Sequence, residues 1–144
     1  MSLTYVDSSS LLKLLWNEPE SHAVRLAVAS ETRIVVSVLT ELEVEVQLRA
    51  RHLAGSTTRA RYRAYRTRLA SLQTEEPFSF VDLPSSLLRV AIDQHVSSSE
   101  HCRTLDRLHL AAMHLLGCDR LMTNDLRQAS AARALGHEVV APGA

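Results

Sequence analysis

Six acidic residues of this chain stand beside the ends of predicted strands or in the early part of predicted helices. They are Asp7, Glu41, Glu43, Glu45, Asp106 and Asp125. In an open parallel sheet, the loops beyond the carboxyl ends of the strands gather into one crevice, where such folds bind ligands. Carboxylates brought together there repel one another unless a cation neutralises them, and Mg²⁺ accepts a few carboxylate oxygens of this kind. The pattern therefore favours a hard divalent metal over zinc, which prefers nitrogen and sulfur ligands.

Each acid also has a purely structural interpretation. Asp7 stands before three serines and an apolar run, as an N-cap does, and Asp125 precedes the last predicted helix in the same way. Asp106 would favour the positive end of a helix dipole, and a glutamate on a long helix is usually solvated. Only convergence of several acids on one edge would favour metal chemistry, so the elements that position them matter.

The apolar pattern alternates between short β-branched runs and longer helical periodicities, which is typical of strands and helices around a parallel sheet. Strands are predicted over 3–6, 33–37, 78–82, 120–123 and 138–140. Helices are predicted over 9–16, 20–29, 39–53, 57–72, 85–96, 105–116 and 126–135. The fold class is therefore α/β, with a parallel sheet of about five strands flanked by helices.

Composition narrows the class of protein. The chain has 144 residues, a formal net charge of zero, and apolar and charged fractions of 46% and 22%, which are ordinary for one globular domain spanning 1–144. Cys102 and Cys118 have neither the spacing of a zinc site nor the density of a disulfide scaffold, so we expect a reducing, cytoplasmic compartment. The most apolar run, "LHLAAMHLLG", is too short and too polar to cross a bilayer, and we expect no membrane partner.

Four segments, taken in order, resemble a known family. They are "YVDSSSLLKLL" at 5–15, "SVLTELEVEV" at 37–46, "RTLDRLHLAAMHLLGCDRLMTND" at 103–125 and "AARALGHEVVAP" at 131–142. In this order and spacing the chain is similar to PIN domains and, more narrowly, to VapC-type toxins of bacterial toxin–antitoxin pairs. The resemblance covers nearly the whole chain, with 54–95 as its least diagnostic part. It implies a single PIN-like domain.

The resemblance also implies a set of site residues. In PIN domains the catalytic metal is held by the Asp that ends the first strand, a Glu in the pattern Ser-x-x-Thr-x-x-Glu, the Asp that opens the apolar helix and the Asp of Thr-x-Asp. By position these residues are Asp7, Glu43, Asp106 and Asp125. The hydroxyls of Ser9 and Thr123 are expected to hydrogen-bond the metal-binding carboxylates. All four acids are present, so the resemblance implies an intact metal site.

An activity and partners follow from the same resemblance. One or two Mg²⁺ or Mn²⁺ ions would activate water to hydrolyse an RNA phosphodiester, leaving a 5′-phosphate and a 3′-hydroxyl, without a nucleophilic side chain. A toxin of this kind would be neutralised by a VapB-like antitoxin, and we expect a homodimer. The antitoxin is expected to bury apolar surface near the first two helices, where Leu11, Leu12, Leu15 and Trp16 cluster.

Helix periodicity gives a second way to choose among the three glutamates. At about 100° per residue, one apolar stripe of the helix over 39–53 is about 80° wide and is predicted to face the core. It contains Leu39, Leu42, Val46, Ala50 and Leu53. Glu43 lies about 60° from the middle of this stripe, Glu45 about 100° and Glu41 about 140°. We therefore expect Glu43 to reach the metal, Glu41 to face solvent and Glu45 to pair with Arg49.

A basic stretch carries a separate prediction. Residues 47–73 contain no acid but seven arginines, with Tyr62 and Tyr65 between them. Arg59, Arg63 and Arg66 share one helical face, where guanidinium groups could pair with RNA phosphates while the tyrosines stack on unpaired bases. The same arginines could instead be solvated, pair with neighbouring acids or contact an acidic partner such as the antitoxin.

Other classes of protein fit the sequence less well. Ser8, Ser9 and Ser10 could suggest covalent catalysis, but no histidine or lysine stands in a recognisable activating pattern. A receiver domain would need paired acids early in the chain and a late lysine, whereas the only lysine is Lys13. A haloacid-type phosphatase would need Asp-x-Asp after its first strand. The remaining alternative is a PIN-type module that binds RNA or a partner protein without cleaving, which a metal-titration assay would distinguish from a nuclease.

Overall fold

A computed structural model describes residues 2–144 and contains one five-stranded sheet in which all neighbouring strands are parallel. Its strands are β1 (Thr4–Val6), β2 (Ile34–Ser37), β3 (Phe78–Val81), β4 (Arg120–Met122) and β5 (Glu138–Val140). The predicted α/β class and the five predicted strands are confirmed, because each strand lies within one residue of its predicted bounds.

Seven α-helices and one 3₁₀ turn connect the strands within the part of the chain that the structure describes. They are α1 (Ser8–Leu15), α2 (Ser21–Ala29), α3 (Val38–Leu53), α4 (Arg59–Ser71), α5 (Leu87–Ser97), α6 (Thr104–Leu115) and α7 (Leu126–Ala134), and the 3₁₀ turn covers Leu72–Thr74. All seven predicted helices are present. Gly117 and Gly136 follow α6 and α7 with φ of 69° and 87°, a conformation that glycine adopts without strain. None of the described helices is long and apolar enough to span a membrane.

Both faces of the sheet are covered by helices. One face packs against α1, α2, α3 and α4 in a core that includes Val6 and Val36. The other face packs against α6 and α7 in a core that includes Tyr5 and Leu121. A parallel sheet that is buried on both faces leaves its strand ends as the place for polar chemistry.

The strand order places a crevice at the centre of the sheet. The order is β3-β2-β1-β4-β5, so the chain moves outward from β1 through β2 to β3 and then returns to the other side of β1 as β4. Asp7 follows β1 and Thr123 follows β4, and the Asp7 N–H donates to the carbonyl of Met122 (3.2 Å). Open α/β sheets bind ligands at such a reversal of strand order. Two of the motif residues therefore lie where a ligand site is expected.

The predicted orientation of α3 is wrong. Its buried side chains are those of Thr40, Val44 and Leu48. The predicted core stripe faces outward instead, with Leu42, Val46 and Leu53 exposed by 58%, 57% and 70%. The two sets lie on nearly opposite sides of the helix, about 160° apart. The physical reason is Thr40, whose hydroxyl donates to the Val6 carbonyl (3.0 Å) and so holds this polar residue against β1. A prediction that places only apolar residues in the core does not expect a threonine there.

The expected pairing of Glu45 with Arg49 is also wrong. Glu45 binds Arg66 of α4 instead, with Arg66 Nη2 2.7 Å from Glu45 Oε2 and Arg66 Nε 3.0 Å from Glu45 Oε1. Glu41 is half-exposed and accepts a hydrogen bond from the Gln73 side chain (3.4 Å). The arginine that pairs with Glu45 belongs to the neighbouring helix, because α3 and α4 pack side by side.

The apolar residues at the end of α1 belong to the core rather than to an open partner surface. Leu11, Leu12, Leu15 and Trp16 are 0%, 4%, 8% and 8% exposed. The remaining face of the Trp16 ring is covered by the Arg51 guanidinium, whose carbon lies 3.4 Å from the ring centroid. These four residues themselves offer almost no apolar surface, and the expected antitoxin contact near the first two helices stays a prediction.

Candidate active site

Asp7 is an enclosed carboxylate at the end of β1. It is 5% exposed and caps α1 by accepting a hydrogen bond from the Ser10 N–H (3.3 Å). The Ser9 hydroxyl donates to Oδ1 (2.6 Å), and the Thr123 hydroxyl donates to Oδ2. Burial raises the pKa of Asp7, although the hydrogen bonds from both hydroxyls lower it. Asp7 is thus both a helix cap and a buried acid that a cation would stabilise in its ionised form.

The hydroxyls of Ser9 and Thr123 also join Asp7 to the loop after β4. Ser9 Oγ lies 3.2 Å from Thr123 Oγ1 and accepts a hydrogen bond from the Asn124 N–H (2.9 Å). Thr123 Oγ1 accepts from the Asp125 N–H (3.0 Å), and Asp125 caps α7 through its own carboxylate. Asp7 and Asp125 therefore lie on the two sides of the β1/β4 reversal, linked by one threonine.

Asn124 is a site residue that sequence reasoning passed over. Its Oδ1 accepts a hydrogen bond from the Ser10 hydroxyl (2.7 Å), and its Nδ2 donates to the carbonyl of Pro142 (2.7 Å). The side chain thereby fastens α1 and the C-terminal segment to the loop that carries Asp125. Its place inside Thr-x-Asp is the only signal in the sequence that could have found it.

Asp106 reaches the same region from the first turn of α6. Its side chain is 14% exposed, and its Oδ2 accepts a hydrogen bond from Arg103 Nε (2.9 Å). The same guanidinium reaches Asp125, with Nη2 3.5 Å from Oδ2. The hydrogen bond to Asp106 and the charges of Asp106 and Asp125 raise the pKa of Arg103. Arg103 was also missed, and its position three residues before Asp106, on the same helical face, is the signal that could have found it.

Glu43 approaches from α3 and is held by a histidine. Its Oε1 is hydrogen-bonded to His109 Nε2 on α6. The Glu43 side chain is 21% exposed, whereas that of His109 is only 3% exposed. His109 is the third residue that sequence reasoning missed. It stands three residues after Asp106, so one face of α6 carries Arg103, Asp106 and His109 in succession.

The four acids gather at one end of the sheet, and three of them are hydrogen-bonded to a basic side chain. Asp106 and Asp125 share the Arg103 guanidinium, and Glu43 is turned toward His109. Within residues 2–144, no three His, Cys, Asp or Glu side chains are placed closely enough to hold a metal. The donors at hand are carboxylates and hydroxyls, which is the oxygen chemistry that Mg²⁺ and Mn²⁺ accept. The residues fit such an ion in their chemistry.

A groove of about 660 Å³ opens beside the acids. Ser9, Asn124 and Asp125 line one part of it, and Trp16 and Gln47 line another. Its basic residues are Lys13, Arg51, Arg103 and Arg127. Glu18 forms ion pairs with the first two of these, through Lys13 Nζ and through Arg51 Nη2 (3.4 Å). The groove thus combines an acidic end with a basic wall.

The three predicted RNA-binding arginines lie elsewhere. Arg59, Arg63 and Arg66 line a separate depression of about 480 Å³ between α3 and α4. All three are exposed, and Arg66 is the arginine that pairs with Glu45. Tyr62, in the same depression, stacks on His52 with ring centroids 4.7 Å apart. None of these arginines lines the groove beside the acids.

The protein is a parallel α/β domain with acids at the central reversal of its strand order. Comparison with known proteins identifies its family. The model of the PIN domain family matches residues 4–134. The chain belongs to this family, as the four sequence segments predicted. Its known relatives include Ribonuclease VapC46 of Mycobacterium tuberculosis (strain ATCC 25618 / H37Rv), which is 35% identical over 144 residues, covering 99% of each chain.

Solved structures of toxins share the fold. VapC20 of Mycobacterium tuberculosis, described as a sarcin-ricin loop cleaving toxin, has a TM-score of 0.67 at 18% identity, covering 89% of this chain and 94% of that one. DNA-bound VapBC from Salmonella typhimurium has a TM-score of 0.68 at 15% identity, covering 97% and 98%. A toxin–antitoxin complex from Klebsiella pneumoniae has a TM-score of 0.64 at 18% identity, covering 97% and 96%. At these identities the similarity shows the fold alone.

Proposed function

We propose that this chain is a metal-dependent endoribonuclease that acts as the toxin of a type II toxin–antitoxin pair. The observation that carries the proposal is its 35% identity, over the whole length of both chains, to Ribonuclease VapC46. The arrangement of the acids supports it, because residues from four separate elements converge on the β1/β4 reversal instead of being scattered over the surface.

Asp7, Glu43, Asp106 and Asp125 are the proposed metal ligands. When bound, a divalent cation, Mg²⁺ or Mn²⁺, supplies activation of water and neutralisation of charge at the scissile phosphate. The hydroxyls of Ser9 and Thr123 orient the Asp7 carboxylate by donating to one oxygen each. No side chain of the site acts as a nucleophile in this proposal.

The experiment that tests the activity is cleavage of RNA by the purified chain with and without metal. EDTA should abolish cleavage, Mg²⁺ or Mn²⁺ should restore it, and Asp7→Ala or Asp106→Ala should remove it while the protein remains folded. Asp93→Asn, at an exposed position of α5, is the matched acidic control and should cleave like the wild type. Robust cleavage in EDTA would contradict the proposal, and binding of RNA without cleavage in Mg²⁺ would favour the non-cleaving alternative.

The groove beside the acids is the proposed path of the RNA. Arg103 and Arg127 flank the acidic end, and Arg51 is held over Trp16 farther along, so phosphates could be bound in succession. Arg59, Arg63 and Arg66 remain a proposal for a second, more distant contact. RNA affinity is best measured in the Glu43→Gln background, where we expect cleavage to be crippled. Adding Arg51→Gln or Arg127→Gln to this variant should weaken RNA binding. Adding Arg59→Gln or Arg63→Gln should weaken it less. The opposite ranking would place the RNA on the α3/α4 surface.

A VapB-like antitoxin is the proposed protein partner. This part of the proposal is supported by solved relatives that are toxin–antitoxin complexes. Induction of the chain in cells should arrest growth, and co-expression of the small protein encoded beside it should relieve the arrest. Growth arrest by the Asp106→Ala variant equal to that of the wild type would contradict a toxic activity at this site.

A homodimer is the proposed assembly, and the outward face of α3 is the surface that supports it. Val38, Leu42, Val46 and Leu53 are exposed by 43%, 58%, 57% and 70%. Apolar side chains grouped on one helical face are typical of contact surfaces. Sedimentation should therefore show a dimer that Leu42→Asp or Val46→Asp disrupts, whereas a wild-type monomer at high concentration would contradict it.

A further inference from the structure

A chain of buried hydrogen bonds runs from the core of the sheet to Glu43. The Tyr5 hydroxyl on β1 lies 2.7 Å from Ser37 Oγ at the end of β2 and 2.7 Å from His109 Nδ1 on α6. His109 Nε2 is hydrogen-bonded to Glu43 Oε1. Tyr5 and Ser37 are 0% exposed and His109 is 2% exposed, so these groups have no access to bulk water. This series of hydrogen bonds ends at Glu43. Glu43 is the one glutamate among the four proposed metal ligands, and its side chain is longer and more flexible than that of an aspartate.

The directions of these bonds follow from counting donors. The Glu43 carboxylate can only accept, so His109 donates to it from Nε2–H. Nδ1 is then left as an acceptor for the Tyr5 O–H. Burial raises the pKa of Tyr5, which keeps this hydroxyl protonated. The Ser37 O–H in turn donates to Tyr5, so each donor of this hydrogen-bond network has one acceptor.

We propose that His109 is a positioning residue that holds Glu43 at the end of the sheet beside the other acids, from where it can ligate a metal. The inference rests on the proposed metal site and names a residue that the family's four acids do not include. A carboxylate that ligates a metal is usually held by an outer hydrogen bond, and loss of such a partner weakens metal binding by about 10–100-fold. His109 is hydrogen-bonded to Oε1 of Glu43, so Oε2 would be the oxygen that ligates an ion.

The elements that carry the network also carry the other acids. Tyr5 stands two residues before Asp7 on β1, and His109 stands three residues after Asp106 on α6. The hydrogen bond between Glu43 and His109 therefore ties α3 to the two elements that present Asp7 and Asp106. A shift of α6 relative to β1 would move Glu43 with it, so the buried network fixes the relative positions of three ligands.

The test is the affinity of the RNA-free protein for Mn²⁺, measured by calorimetry. His109→Leu, which has similar bulk but no donor, should weaken binding by about 10–100-fold. His109→Gln should recover most of this loss, because its amide nitrogen can still donate to Glu43. Tyr5→Phe should have a smaller effect, since the imidazole keeps its bond to Glu43. The control His114→Leu, at an exposed position of the same helix, should bind Mn²⁺ like the wild type.

A purely structural role would make His109→Gln no better than His109→Leu, and that result would overturn the inference. Wild-type affinity in His109→Leu would overturn it as well while leaving the metal site intact. A wild-type protein that binds no Mn²⁺ would overturn the proposed function together with the inference. A metal-independent check is the nitrogen NMR spectrum of the imidazole, which should show the Nε2–H tautomer in the wild type; an Nδ1–H tautomer would contradict the network.

Discussion

Arg103 and Asp106, three residues apart at the start of α6, form an ion pair across the acidic site, with Nε 2.9 Å from Oδ2. The same guanidinium lies 3.5 Å from the carboxylate of Asp125. An arginine of the chain itself therefore pairs with two of the proposed ligands. Because Arg103 places a positive charge beside two carboxylates proposed to bind a cation, we expect Arg103 to compete with the metal.

Replacing Arg103 should therefore tighten metal binding. Exposed ion pairs contribute little, so we expect Arg103→Gln to bind Mn²⁺ only a few-fold more tightly than the wild type in calorimetry. The gain should shrink at high salt, which screens the exposed pair. Arg127→Gln, in the same groove but without an ion pair to Asp106, is the control and should change little. Weaker binding by Arg103→Gln would mean that the arginine orients the acids for the metal.

Glu43 should be the only glutamate of α3 that metal binding requires. Glu43→Gln keeps the shape of the side chain but removes its charge, and we expect cleavage and Mn²⁺ affinity to fall by more than about 100-fold, beyond the usual effect of losing an outer hydrogen-bond partner. Calorimetry and an RNA cleavage assay measure the two effects.

Glu41→Gln and Glu45→Gln are the matched controls for this prediction. Glu41 contacts Gln73 and Glu45 contacts Arg66, so neither faces the acids and both variants should stay close to the wild type. A dead Glu41→Gln with an active Glu43→Gln would show that the motif spacing had been assigned to the wrong residue.

The orientation of α3 predicts a large difference in stability between two leucines of the same helix. Leu48 is 1% exposed and lies in the core, so Leu48→Ala should lower the free energy of unfolding by about 2–5 kcal/mol. Leu42 is 58% exposed, and Leu42→Ala should change it by less than about 0.5 kcal/mol in the monomer. Urea unfolding at low protein concentration measures both values. Equal losses would mean that the outward face of α3 is buried in the folded monomer.

The sequence predicted the elements of this fold well but failed on the rotation of α3. Strand and helix bounds follow from local runs of apolar residues, which is why the β1 to β5 pattern and the seven helices could be read directly. The rotation of α3 depends on Thr40, a polar residue that is buried because the Val6 carbonyl accepts its hydrogen bond. Helix α3 has apolar residues on two sides, one in the core and one on the surface. Periodicity alone cannot tell which of these sides is buried.

The acids of the site could be proposed from motifs, whereas the residues that hold them could not. Glu43 and His109 are 66 positions apart, and their contact exists only because α3 and α6 meet at the end of the sheet. Arg103 is closer to its partner, but an arginine three residues before an aspartate is common on any helix surface. Contacts between distant elements depend on packing, which one sequence without structure does not contain.

The buried charge of Asp7 lowers the free energy of unfolding in a pH-dependent way, and a bound metal should offset this loss of stability. Burial raises its pKa above the ordinary value, so between those two pKa values the folded protein binds more protons than the unfolded chain. The free energy of unfolding therefore falls as the pH rises through this window. This loss of stability is complete above the raised pKa of Asp7 and absent below its ordinary pKa of about 4.

Asp7→Asn should accordingly be more stable than the wild type in metal-free buffer at pH 7.5, because asparagine removes the buried charge and can still accept the capping bond from Ser10. The advantage should shrink as the pH is lowered toward about 4, where Asp7 is protonated in both states. Mn²⁺ should also shrink it at pH 7.5, since an ion that binds only the folded wild type stabilises that protein alone. Urea unfolding of both proteins, with Asp93→Asn as the exposed control, measures each effect. If Asp7→Asn were less stable than the wild type at pH 7.5 without metal, the hydrogen bonds from Ser9 and Thr123 would outweigh the burial of the charge, and Asp7 would need no cation to remain ionised.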